Sequence, residues 1–192
     1  MNPGIWRLAA DPCPRPTLFL DRDGVIIEDA HYLSSPADVR LIQGSAEALA
    51  VAAAADWRLV CLTNQSGIGR GYYTEAQFHA VQTRVDELLA ARGVVLDGVL
   101  YCPHDPDAAC GCRKPALGMI EAAASKIIWS SGSVMIGDKV ADLDLGRGAG
   151  LTPMLVRTGK GADVEQAGLQ RGAVVYDDLA AAIVHVLGGG RQ

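Results

Sequence analysis

Two carboxylates stand two residues apart in Leu18-Phe19-Leu20-Asp21-Arg22-Asp23-Gly24, directly after an apolar run. A hard divalent cation such as Mg²⁺ takes oxygen ligands and keeps several waters, so few protein groups suffice to hold it against a substrate phosphate. A carboxylate beside it can attack phosphorus and carry the phosphoryl group as an aspartyl phosphate. Asp and Gly also favour turns, so this motif alone leaves a plain turn open. Three more segments have the chemistry to share such a site. Leu62-Thr63-Asn64-Gln65-Ser66-Gly67 offers a hydroxyl and free backbone amides for phosphate oxygens. Cys112-Arg113-Lys114-Pro115 places two cations just before a helical pattern, and Met135-Ile136-Gly137-Asp138-Lys139 carries a further carboxylate, with Asp142 and Asp144 following. Each of these three is weak alone, because polar turns and surface cations are common.

A second constellation is of a different kind. Cys102-Pro103-His104 is followed, after five residues, by Cys110-Gly111-Cys112. Three thiols and an imidazole are a standard ligand set for structural Zn²⁺, which is tetrahedral and leaves no open position when four protein groups bind it. Free thiols remain the plainer reading, and a disulfide would strand the third thiol and His104. Thiolates suit Zn²⁺ and carboxylates suit Mg²⁺, so two metals can coexist without exchanging sites. The loop runs straight into Arg113 and Lys114, and zinc is expected to set the position of those cations. Cys61 lies in an apolar strand and reads as core, Cys13 has no evident partner, and His79 and His185 read as structural or solvent-facing.

The elements that must position these groups alternate. Strands are expected at 17–20, 58–62, 98–102, 134–136, 153–156 and 173–176, and helices at 44–56, 74–92, 116–128, 140–149 and 178–187. Thr74 with Gln77 suggests a capping box, and Gly93 a C-terminal cap. Near-continuous apolar strands between helices imply an α/β fold with a mostly parallel sheet. Ligands bind beyond the carboxyl ends of such strands. Asp21, Thr63, Cys102 and Asp138 all fall there.

The length of 192 residues suits a single domain over 1–192, with 1–16 as an irregular arm and 102–112 as the zinc loop. A net charge of −5 argues against a general nucleic-acid binder, which needs a basic face. The sequence has no run of 18 apolar residues and no signal-peptide pattern, so no membrane association and a cytoplasmic location are expected. The chain is read as a monomer with a small-molecule substrate.

The order Asp-x-Asp-Gly, strand-Thr, Lys, Gly-Asp-x-x-x-Asp resembles that of the haloacid dehalogenase-like phosphatases over about residues 17–160. The resemblance implies a Rossmann-like three-layer sandwich. It also implies roles. Asp21 is the nucleophile, and Asp23 protonates the leaving oxygen and then activates water. Mg²⁺ sits on Asp21, the Asp23 carbonyl and Asp138. Thr63 and Lys114 hold phosphoryl oxygens, Lys139 helps to position phosphate and nucleophile, and Asp142 stands behind them. The spacing leaves no room for a large cap, so a capless site is expected, walled by a flap at 25–43 and by the zinc loop.

Asp-Arg-Asp-Gly, Thr-Asn-Gln-Ser-Gly-Ile-Gly-Arg-Gly-Tyr, Cys-Pro-His…Cys-x-Cys-Arg-Lys-Pro and Gly-Asp-Lys together resemble the D-glycero-D-manno-heptose 1,7-bisphosphate 7-phosphatases, which supply activated heptose for surface polysaccharide. The related histidinol-phosphate phosphatases share the zinc loop, and the short gap between His104 and Cys110 leans toward them; Ser66 and Gly69-Arg70-Gly71-Tyr72 lean toward the heptose branch. Histidinol phosphate or a broader set of small sugar phosphates is the alternative substrate class. By the resemblance, Asp29, Ala30, His31, Tyr32, Asn64, Gln65, Ser66, Arg113 and Lys139 line the sugar-phosphate pocket with Thr63. Ile27 and His31, both in the flap, depart from the family pattern, which often has Asn and Gly there. A binding module that had lost catalysis would not need the full set of Asp21, Asp23, Thr63, Lys114 and Asp138.

Overall fold

The computed structural model describes residues 1–189; the last three residues of the 1–192 domain lie outside them. The strands in chain order are β1 (Gly4–Leu8), β2 (Asp11–Arg15), β3 (Thr17–Leu20), β4 (Arg58–Asn64) and β5 (Gly98–Cys102), then β6 (Ile127–Trp129), β7 (Val134–Gly137), β8 (Thr152–Val156) and β9 (Val174–Tyr176). The helices are α1 (Ser45–Ala54), α2 (Ser66–Gly69), α3 (Glu75–Ala90), α4 (Gly118–Ala124), α5 (Val140–Gly148), α6 (Gly161–Gln170) and α7 (Leu179–Gly188). The main sheet has seven strands in the order β1-β5-β4-β3-β7-β8-β9, and β2 pairs with β6 in a small second sheet. All neighbours in the main sheet are parallel except β1, which runs antiparallel to β5.

Side chains alternate across this sheet and build two cores, as a three-layer sandwich requires. Leu18, Leu20, Leu59 and Cys61 pack with Leu49 of α1, Val81, Val85 and Leu89 of α3, and Ile183 of α7. Phe19, Val60 and Leu62 point the other way, onto Met119, Ile120 and Ala123 of α4 and Leu145 of α5. The central strand β3 lies between β4 and β7, so the chain winds away from it in both directions. A crevice must open beyond its carboxyl end. The capping box is present: the Gln77 N–H donates to Thr74 Oγ1, and the Thr74 N–H to Gln77 Oε1. Gly93 (φ +75) ends α3 in a Schellman turn, with Val94 N–H donating to Leu89 O and Gly93 N–H to Ala90 O.

Four expectations need correction. The arm at 1–16 is not irregular. Ile5, Trp6 and Leu8 form an edge strand on β5, and β2 is gripped by the buried Arg58, whose guanidinium lies 2.5 Å from Asp11 Oδ2 and donates to Cys13 O and Ile128 O. A buried cation needs such partners, and they lie on β2 and β6, two segments that no local pattern connects to Arg58. The helix expected at 116–128 ends at Ala124, and the β-branched and aromatic run Ile127-Ile128-Trp129 forms β6. Helix α6 was not foreseen: its glycines depress helix propensity, yet they are there because Gly161 lies against Val156 O and Gly168 against Leu155. The flap is shorter than 25–43, since Val25, Ile26, Ile27, Leu33 and Val39 are core. Ile27 is fully buried and does not reach the cavity.

Candidate active site

Asp21 follows β3 and is held in the sheet's own register, its N–H donating to Ile136 O at 3.0 Å. Only 4% of its surface is exposed. Burial opposes a charge on this carboxyl, but Lys114 and Lys139 outweigh it and hold Asp21 below the usual carboxylate range. Lys114 Nζ lies 2.9 Å from Asp21 Oδ1 and 2.7 Å from Asp142 Oδ1, and donates to Leu62 O at 2.6 Å. Burial opposes the Lys114 charge as well, and Asp142 and Asp21 more than restore it, so the ammonium stays protonated. Asp142 itself is pushed up to about 6 by burial, which the nearby Lys114 only partly offsets.

Lys139 Nζ occupies a telling position. It lies 2.8 Å from Asp138 Oδ1, 3.3 Å from the Asp23 carbonyl oxygen and 3.6 Å from Asp21 Oδ2. With Asp29 Oδ2 at 3.7 Å, a cation is therefore already accommodated among four oxygens from four different residues. The carboxylates of Asp21, Asp138 and Asp142 each bring an oxygen within 4.8 Å of the others, a grouping able to hold a metal ion. Burial and the Asp21 charge push the Asp138 carboxyl up, so this cluster gains from a positive partner.

The second carboxylate is clamped from one side. Arg22, buried although charged, donates from Nε (3.2 Å) and Nη2 (3.1 Å) to the two Asp23 oxygens. Its guanidinium lies 5.3 Å from the centre of the Phe78 ring. Gln65 Nε2 donates to Asp23 Oδ2 at 2.9 Å and to Thr63 Oγ1 at 2.7 Å. The Tyr73 hydroxyl donates to Gln65 Oε1 at 2.7 Å, and burial pushes its pKa up to about 12, which keeps that proton in place. This chain fixes which way the Gln65 amide faces.

A cavity of about 280 Å³ lies in front of these groups, lined by Asp21, Asp23, Asp29, His31, Tyr32, Leu33, Thr63, Asn64, Gln65, Ser66, Tyr73, Arg113, Lys114, Lys139, Ala141 and Asp142. Almost every residue singled out in the sequence is brought together here. Two are assigned differently. Ala30 is exposed and does not line the cavity. Asn64 spends its amide on the backbone of Lys114, accepting from the N–H at 3.0 Å and donating to the carbonyl at 3.2 Å. It holds the lysine in place. Arg113 has a buried Nη1 with no protein partner. Sequence reasoning missed the clamping by Arg22, Gln65 and Tyr73. The Arg22 signal was available in principle: a charge between two carboxylates, after a buried strand, has to pair with one of them.

The cysteine loop forms a compact cluster. Cys102, His104, Cys110 and Cys112 bring one ligand atom each within 4.8 Å of all the others. The sulfur–sulfur distances are 3.5 to 3.8 Å and those from His104 Nδ1 to Cys102 and Cys112 are 3.5 and 3.2 Å, so no disulfide is formed. Burial pushes the Cys102 and Cys112 thiols up. Thiolates here therefore need a cation, and the cluster has the ligands to hold a metal ion. The loop also packs on the segment after β4, where Gly69 lies against the Asp105 backbone and Arg70 pairs with Asp105 at 3.5 Å.

A family model for HAD-hydrolase-like proteins matches residues 111–182. The D-glycero-beta-D-manno-heptose-1,7-bisphosphate 7-phosphatase of Pseudomonas putida is 41% identical over 166 residues, 85% of this chain and 95% of that protein. The protein of the same name from Pseudomonas aeruginosa is 40% identical, over 87% of this chain and 95% of its own. A crystal structure of D,D-heptose 1,7-bisphosphate phosphatase from B. bronchiseptica, complexed with magnesium and phosphate, superposes with a TM-score of 0.81 at 36% identity, covering 91% of this chain and 99% of that one. The chain belongs to the haloacid dehalogenase-like phosphatases, in the family of the D-glycero-D-manno-heptose 1,7-bisphosphate 7-phosphatases.

Proposed function

We propose that this phosphatase removes the C7 phosphate of D-glycero-D-manno-heptose 1,7-bisphosphate, with Asp21 as nucleophile. The observation that carries the reaction is the convergence of Lys114 and Lys139 on a buried Asp21 carboxylate, with a second carboxylate, Asp23, lining the same cavity. The substrate is taken from the names of the relatives.

Asp21 attacks phosphorus in line; its new bond to phosphorus forms as the bond to the sugar oxygen breaks. Asp23 gives its proton to that departing oxygen. The Asp23 carboxylate then takes a proton from water, which attacks the phosphoryl group on Asp21 and releases inorganic phosphate, restoring both residues. Lys114 and the Thr63 hydroxyl hold phosphoryl oxygens, and Lys139 moves its charge onto the substrate phosphate. Such positioning and neutralisation are the main means of accelerating phosphoryl transfer. Arg113 offers its Nη1, unpartnered among the described residues, to the other phosphate or to sugar hydroxyls, Ser66 lines the same cavity, and Asp29, His31 and Tyr32 wall the sugar.

The oxygens around the Lys139 ammonium fit Mg²⁺ as well, since Asp21, the Asp23 carbonyl and Asp138 are all hard donors. When bound there, Mg²⁺ would neutralise charge on the nucleophile and the transferring phosphoryl group. The cysteine cluster suits Zn²⁺. A tetrahedron with Zn–S near 2.3 Å and Zn–N near 2.0 Å has edges of about 3.5 to 3.8 Å; the sulfur–sulfur separations and that from His104 Nδ1 to Cys102 match that scale, and His104 Nδ1 to Cys112 is shorter at 3.2 Å. Its part is to fix the loop that leads into Arg113 and Lys114.

The test compares hydrolysis of heptose 1,7-bisphosphate with that of histidinol phosphate, monitored by released phosphate. The heptose bisphosphate is expected to win on kcat/KM. A preference of about 100-fold for histidinol phosphate, near 2.7 kcal/mol in transition-state binding, sinks the sugar assignment.

A further inference from the structure

The turn between β8 and α6 touches the reaction centre from behind. Asp138 is fully buried, and its two oxygens are treated differently. Oδ1 faces the Lys139 ammonium at 2.8 Å, in the cation position; Oδ2 accepts the backbone N–H of Lys160 at 2.9 Å. Two residues earlier, the Thr158 hydroxyl donates to the carbonyl of Gly24 at 2.6 Å. Gly24 directly follows Asp23, whose own carbonyl is another of the oxygens around the cation. One short turn therefore restrains two of the oxygen sources, Asp138 and the segment carrying the Asp23 carbonyl. Gly24 (φ +89) and Gly159 (φ +59) pack against each other beside Asp138, and a Cβ on either would overlap Asp138 Oδ2.

We infer that the Thr158–Gly161 turn is a positioning device for the divalent cation: Lys160 N–H fixes the rotation of the Asp138 carboxylate, Thr158 ties down the segment carrying the Asp23 carbonyl, and Gly159 is there because only a glycine admits that contact. This rests on the reading of Asp138 as a cation ligand. The physical reason is that a carboxylate free to rotate must lose that freedom on binding, whereas one already held by a backbone donor does not. Groups that hold metal ligands in this way commonly account for about 10- to 100-fold in affinity.

Mn²⁺ is the probe, its free concentration read by electron paramagnetic resonance in the absence of substrate. Gly172 is the control, because it too is left-handed (φ +73), lies just beyond the other end of α6 and has open space around it. Gly159→Ala and Gly172→Ala should both lower the melting temperature, since each forces a side chain into a left-handed conformation. Only Gly159→Ala should weaken Mn²⁺, by about 10- to 100-fold. Thr158→Val, which leaves the backbone alone, should weaken it by a smaller factor. A folded Gly159→Ala protein with wild-type Mn²⁺ affinity overturns the inference. Should Gly159→Ala not fold, unchanged affinity in Thr158→Val overturns it instead. Asp138→Asn separates the two levels: if it binds Mn²⁺ like the wild type, the cation site itself is wrong, and the turn has nothing to position.

Discussion

The reaction centre and the flap wall the same cavity but are built in opposite ways. Asp21, Lys114, Asp138 and Asp142 are buried, and each is held by groups from other elements. Asp21 and Asp138 sit just beyond strand ends, Lys114 is tied to one through Leu62 O and Asn64, and Asp142 lies in the first turn of α5, accepting the Lys139 N–H. His31 and Tyr32 are exposed, stand at φ +50 and +61, and have one local anchor, the His31 N–H donating to Asp29 Oδ1. Tyr32 leans edge-on against Tyr72 of the neighbouring loop, 4.7 Å between ring centres. On the function proposed above, this is a division of labour: charge to be stabilised in the transition state is placed on rigid supports, and the contacts proposed to tell one sugar from another are placed on a loop that can change without disturbing the sheet.

That comparison predicts a ranking. The largest effect belongs to Asp21→Asn, which removes the nucleophile and leaves shape and packing intact. Turnover should fall by about 10⁴-fold or more, as for other residues that act as a covalent unit, with an unchanged circular dichroism spectrum showing that the fold is kept. Activity near wild type would remove Asp21 from its role. Next is Cys110→Ala. Metal analysis of the wild type should give about one zinc per chain, and the variant should lose the zinc and most of the activity together, because structural zinc carries a large share of local folding energy. A variant that keeps full kcat without zinc would mean that the loop does not set Arg113 and Lys114.

Lys139→Met sharpens the electrostatic side. Asp21 lies below the usual carboxylate range against the effect of burial because Lys114 and Lys139 stabilise its charge. Deleting one cation leaves the buried carboxyl easier to protonate, so its pKa rises. In the metal-free protein, where Lys139 stands beside Asp21, the acid limb of the Asp21 carboxyl titration, read by NMR, should then move to higher pH, and with Mg²⁺ present kcat should fall by about 100-fold. A drop in rate with no movement of the limb would assign Lys139 to the substrate phosphate alone.

How much of this was readable without coordinates follows the same division. Residues that act at the ends of their own strands were legible, because the strands announce themselves as apolar runs and the parallel sheet says which end matters. Asp21, Thr63 and Asp138 all fall there. The cysteine cluster was legible because four ligands of one chemistry crowd into eleven positions. What could not be read were roles fixed by long-range pairing. Asn64 is the same residue whether it meets a sugar or the backbone of Lys114, and nothing nearby says which. The Arg58 clamp on β2 joins residues 47 apart. Gly159 carries no motif of its own, since its constraint comes from Asp138 and Gly24, and α6 was hidden by glycines that are there for packing. Ile27 looked like a flap residue because the flap's inner segment folds back into the core between Arg22 and Leu41.

The smallest expected effect tests the flap itself. His31→Gly removes a side chain that lines the cavity and also relieves a left-handed non-glycine residue. The two consequences have opposite signs for stability. Relief of the backbone is worth about 1 kcal/mol, and the extra freedom of glycine in the unfolded chain takes back about 0.5–1 kcal/mol, so melting should hardly move. Function should move only in binding. KM for the heptose bisphosphate should change by a few-fold, on the order of 1 kcal/mol, while kcat stays put, because the link from this loop to the reaction centre, Lys139 to Asp29 Oδ2 at 3.7 Å with Asp29 Oδ1 accepting the His31 N–H, uses backbone that glycine keeps. If kcat fell with KM unchanged, the flap would be part of the reaction centre, and the division between rigid chemistry and adaptable recognition would not hold for this cavity.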